Sequence, residues 1–99
     1  MPIYMAVHHS PQLSWEVVEK KWMALSEEHD AVWVRTWFNR KEGVRYCEWL
    51  APDARTLERI FGRHGVTWES ILEVEKTSPG SWRWRVNEMS ADTREEPDG

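Results

Sequence analysis

Four side chains in this sequence have the chemistry of ligands for a borderline metal ion: His8, His9, Cys47 and His64. Imidazole and thiolate suit nickel, copper and zinc. His8 and His9 are neighbours at the end of an extended stretch, so their rings point to opposite faces. No more than one of them shares a face with Cys47. His64 closes an apolar helical stripe and His29 ends an earlier one, positions where a positive imidazole complements the helix dipole. Cys47 is the single cysteine, which excludes an internal disulfide, and a lone cysteine behaves first as a small buried hydrophobe. The sequence has no GxSxG, HExxH, CxxC or Gly-rich phosphate loop, so no familiar catalytic constellation accompanies these residues. That leans against an enzyme.

A second group is aromatic. Eight tryptophans in 99 residues is a heavy load, because each indole buries a large area and also carries an N–H that wants a partner. Trp33, Trp37, Tyr46 and Trp49 lie in the two central extended stretches and are candidates to line an apolar pocket for a small organic ligand. The run Trp82-Arg83-Trp84-Arg85 has the residue types that stack bases and hold phosphates. The formal net charge of −4 argues against nucleic acid as the partner.

The elements that position these residues follow from periodicity. Ile3 to His8 alternate as a strand, and His9-Ser10-Pro11 breaks it. Ser14 is an N-cap with Glu16 in the first turn, and Trp15, Val18, Trp22 and Leu25 recur on one face of a helix that fades near His29-Asp30. Ala31 to Phe38 and Val44 to Leu50 form a hairpin across the polar turn Asn39 to Gly43. Pro52 stops the strand and Asp53 caps a second helix, whose apolar face is Leu57, Ile60, Phe61 and His64 and whose stop is Gly65. A fourth strand lies within Trp68 to Glu75, and Trp82 to Val86 alternate as a short extra strand. Residues 1–88 are expected to form one domain and 89–99 a disordered acidic tail. The order is that of a ferredoxin-like α+β fold, βαββαβ, with a four-stranded antiparallel sheet carrying both helices on one face. Its other face is too aromatic to leave bare, which predicts a homodimer that packs sheet on sheet. No apolar run approaches the roughly 20 residues that span a bilayer, and Met1-Pro2-Ile3-Tyr4 lacks the features of a signal peptide, so a cytoplasmic protein without membrane partners is expected.

Three stretches carry a family resemblance: Met5-Ala6-Val7-His8, the run Tyr46-Cys47-Glu48-Trp49-Leu50-Ala51-Pro52-Asp53, and His64-Gly65 followed by Ile71-Leu72-Glu73-Val74. Over roughly residues 1–77 the chain resembles a small bacterial ferredoxin-like family, mostly of unknown function, that includes a nickel-binding branch. The resemblance implies a dimeric α+β barrel and a divalent metal such as nickel, with His8 and Cys47 as ligands and His9 or His64 as helpers. Three polar family positions are apolar here, at Leu50, Ile60 and Trp22, which implies an aromatic rather than polar interior.

Overall fold

The computed structural model describes residues 1–80 and 82. Its elements are β1 (Ile3–His9), α1 (Trp15–Leu25), β2 (Val32–Asn39), β3 (Val44–Leu50), α2 (Ala54–Arg63) and β4 (Ser70–Val74). The expected βαββαβ order is the observed one. The four strands form one antiparallel sheet in the order β2-β3-β1-β4, the ferredoxin-like arrangement.

Both helices cover the same sheet face. Tyr4, Ala6 and His8 of β1 and Cys47 and Trp49 of β3 point into a core with Val18, Trp22 and Leu25 of α1 and Leu57, Ile60 and Phe61 of α2. Each helix starts where the sequence places a cap. The Ser14 hydroxyl accepts the Val17 N–H, and the Asp53 carboxylate accepts both the N–H and the hydroxyl of Thr56, each at 2.8 Å. α1 ends at Leu25, earlier than the His29-Asp30 boundary expected from its pattern. Beyond it the Glu27 and Glu28 N–H groups bond three residues back, to Ala24 and Leu25, so the chain tightens out of the α-helix. α2 ends on Gly65 at φ +66°, and Lys21 of α1 places its ammonium on the carbonyls of His64 and Gly65.

Two irregularities shape the sheet. The β2–β3 ladder shifts register between Trp33 and Arg35, a bulge at Val34. Gly43, at φ +71° in the hairpin turn, lies directly against Pro11 of the β1–α1 loop, and its carbonyl accepts the Ser10 N–H at 2.9 Å. Loop and turn are thereby stitched together. The uncovered sheet face carries Met5, Val7, Val32, Trp37, Tyr46 and Leu72, with Trp37 52% and Leu72 60% exposed. The extra strand expected from Trp82 does not begin there: the Trp82 N–H bonds the Ser78 carbonyl at 3.0 Å in a helical turn. Residues 83–86 and the expected tail over 89–99 lie outside the described residues.

Candidate functional site

His8 is fully buried at the centre of the helix-covered face, its ring edge-on to Trp22 of α1 and Phe61 of α2. Its Nδ1 donates to the Thr67 carbonyl at 2.8 Å, which fixes the tautomer and leaves Nε2 as a lone pair without a partner. Burial penalises the imidazolium and holds the pKa down at about 4, with the Thr67 bond offsetting part of that and the Arg45 charge adding to it. The ring is therefore neutral at physiological pH.

Cys47 lies on the same face, in register with Ala6 on one side and Thr36 on the other. The Thr36 hydroxyl accepts the indole N–H groups of Trp22 and Trp33, at 3.2 and 2.6 Å, and donates its own proton to the Cys47 sulfur at 3.1 Å. That uses the hydroxyl's one donor and two acceptor positions completely. Burial pushes the Cys47 thiol up, so the sulfur stays protonated.

The other two metal candidates are elsewhere. His9 points to the opposite face, where its Nδ1 lies 3.6 Å from a Glu69 carboxylate oxygen. His64, at the end of α2, bonds Glu28 at 2.6 Å, and Arg63 holds the second oxygen of the same carboxylate. Among the described residues no group of three or more His, Cys, Asp or Glu side chains is placed to hold a metal ion. His8 fits the role of a nickel ligand, with one nitrogen anchored and the other open. Cys47 fits it poorly, since it would have to lose both its proton and the Thr36 bond. Among the described residues of one chain, His8 and Cys47 alone do not make a nickel centre.

The aromatic candidates also divide. Trp33 and Trp49 face the helices, paired across β2 and β3, while Trp37 and Tyr46 are paired on the open face. The pocket forms from other residues. A partly enclosed cavity of about 320 Å³ opens between the start of α1, the β1–α1 loop and the end of the hairpin, walled by Leu13, Trp15 and Phe38. Arg45 is at its floor and Arg40 and Lys41 are at its rim; the Arg40 guanidinium lies 4.1 Å above the Trp15 ring. Arg45 is only 3% exposed. Its presence on the buried face was readable, because residues 45, 47 and 49 share one face of a strand. Its residue type concealed it, since arginine is rarely buried. Ser10, Trp15 and Phe38 escaped notice as site residues because they meet only when the loop docks on the hairpin turn.

Comparison with known proteins places this geometry. Residues 4–74 match the model of the SCO4226-like family, described as nickel responsive protein SCO4226-like. No curated protein gives a significant match. Among solved structures, the crystal structure of SCO4226 from Streptomyces coelicolor A3(2) is similar, with a TM-score of 0.64 and 20% sequence identity over 77% of this chain and 99% of that one. At that identity the likeness speaks to the fold alone.

Proposed function

We propose that this chain, which belongs to the SCO4226-like family of nickel responsive proteins, is a small-molecule-binding domain rather than an enzyme. The observation that carries this reading is the cavity of about 320 Å³ walled by Leu13, Trp15 and Phe38. Ligand sites are concave and combine apolar walls with polar groups that fix orientation, and this cavity has both, at the small end of the usual size range. A catalytic reading has less support. The one thiol is held protonated by burial, and His8 has neither a carboxylate to orient it nor a nucleophile in contact. The test is titration with a panel of small aromatic compounds, read by quenching of tryptophan fluorescence and by thermal shift, with Trp15→Ala as the control. Saturable quenching that Trp15→Ala diminishes is the expected result; a panel without quenching or thermal shift sinks the reading.

One observation favours nickel as a further ligand: the anchored, neutral His8 with its open Nε2. Among the described residues His8 is the single well-fitted donor, and it lies under the helices on the sheet face opposite the open one, so this reading has less support than the cavity. Calorimetric titration of tag-free protein with nickel decides it. Binding abolished by His8→Ala supports the reading, and absence of binding ends it.

A second copy is proposed on separate grounds. Exposed Val32, Trp37, Tyr46 and Leu72 form an apolar surface on the open sheet face, of the kind that marks an interface. A homodimer packed sheet on sheet covers it.

A further inference from the structure

Arg45 is a buried cation with no anion among the described residues. Its Nη1 reaches the Gly43 carbonyl at 3.4 Å and its Nη2 the Ser10 hydroxyl at 3.3 Å, both long contacts to neutral acceptors. The guanidinium carbon lies 4.9 Å from the centre of the Trp22 ring. Its Nε–H has no partner among the described residues. No carboxylate among the described residues forms an ion pair with it, although the other close pairs, Arg35–Glu48 and Arg63–Glu28, show that the chain pairs arginines elsewhere. Buried charges in proteins are ordinarily paired, because an uncompensated one costs several kcal/mol, roughly, in lost solvation.

The surroundings point to what is missing. Arg45 lines the cavity of about 320 Å³ and also a neighbouring one of about 150 Å³. The charged residues of the first are Arg40, Lys41 and Arg45, and those of the second are Lys21 and Arg45. Among the described residues neither is lined by an aspartate or glutamate, in a chain whose acidic residues outnumber its lysines and arginines by 17 to 13. Positive charge gathered in a concave, partly desolvated place attracts anions.

We propose that the cavity binds a small organic carboxylate, with the carboxylate on Arg45 and an apolar or aromatic body between Leu13, Trp15 and Phe38. This rests on the reading of that cavity as the binding site. A guanidinium presents paired N–H donors that match a carboxylate, and such charge-assisted bonds are among the strong ones. Arg40 and Lys41 at the rim add attraction on approach, and the volume admits a body of one or two rings.

The experiment uses the full chain and four probes: benzoate and 2-naphthoate, each against its neutral carboxamide, by calorimetry. The carboxylates are expected to bind about tenfold or more tighter than the amides, the factor that one charge-assisted hydrogen bond supplies. Arg45→Met is expected to erase that preference without lowering the melting temperature, because it removes an unpaired buried charge. Arg40→Gln alters only an exposed group and is expected to weaken the carboxylates several-fold, so a misfolded Arg45 variant would not block the test. Equal binding of acid and amide overturns the anion inference and leaves the cavity reading standing. Binding of neither overturns the cavity reading itself. Inorganic phosphate binding as tightly as 2-naphthoate overturns the organic ligand in favour of a simple anion site.

Discussion

His8 on β1 and Thr67, in the segment between α2 and β4, are joined by a 2.8 Å hydrogen bond that buries an imidazole and selects its tautomer. The same bond ties the central strand to the chain as it enters the edge strand, and it commits the protein to a neutral His8. Burial holds the folded-state pKa at about 4 against 6.5 unperturbed. The unfolded chain therefore binds more protons between those values, and stability rises with pH across that window and is flat above it. About 3 kcal/mol is at stake, since one pKa unit is worth about 1.4 kcal/mol. Urea denaturation between pH 7.5 and 4 is expected to show this loss in the wild type. His8→Gln, which keeps a donor for the Thr67 carbonyl but does not titrate, is expected to flatten the slope; a slope unchanged in the variant contradicts the assignment.

Thr36 satisfies two buried indoles and the Cys47 sulfur with one hydroxyl. Thr36→Val keeps the shape and strands both N–H groups, at an expected cost of about 2–3 kcal/mol in chemical denaturation. Thr36→Ser restores the hydroxyl and is expected to recover most of it. A valine variant as stable as the wild type would show that the indoles find other partners.

Gly43 has no room for a side chain. An added Cβ would sit 2.4 Å from the Pro11 Cα, and the residue's φ is +71°. Gly43→Ala is expected to destabilise the fold by at least about 2 kcal/mol, through left-handed strain and displacement of backbone. Because this contact closes the loop over the hairpin turn, the variant should also lose cavity binding at temperatures where it remains folded.

The Glu28 carboxylate bridges His64 and Arg63. Its pKa is held below the usual 4.5, first by the His64 bond. A lowered carboxylate pKa stabilises above the unfolded value and loses that contribution as pH falls through the folded one. Glu28→Gln is expected to lower the melting temperature at neutral pH, and the gap from wild type should narrow as pH falls below the usual carboxylate range. A gap that persists in strong acid would assign the effect to packing.

Trp37 stands on the open face of the edge strand β2, paired with Tyr46. If two copies meet there, Trp37→Glu is expected to give a folded monomer in sedimentation at micromolar concentration where the wild type is a dimer. A wild type that already sediments as a monomer removes the interface.

The sequence by itself determined the element order, because helix and strand periods differ and both helix caps, Ser14 and Asp53, are local chemistry. It also placed His8 and His9 on opposite faces, since adjacent strand residues must diverge. Only the tertiary structure decided which aromatics meet. Simple alternation would put Trp33 and Trp37 on one side, but the bulge at Val34 resets the period, so Trp33 joins Trp49 under the helices while Trp37 faces outward. A one-residue irregularity in pairing leaves no mark in residue types. The candidate metal ligands fared likewise in part: their chemistry was visible, yet only the structure ties His64 to Glu28 while His8 and Cys47 share one sheet face. Arg45 is the clearest case. Its cavity exists because the loop at Pro11 closes on the turn at Gly43, a contact across more than thirty residues that no local pattern encodes.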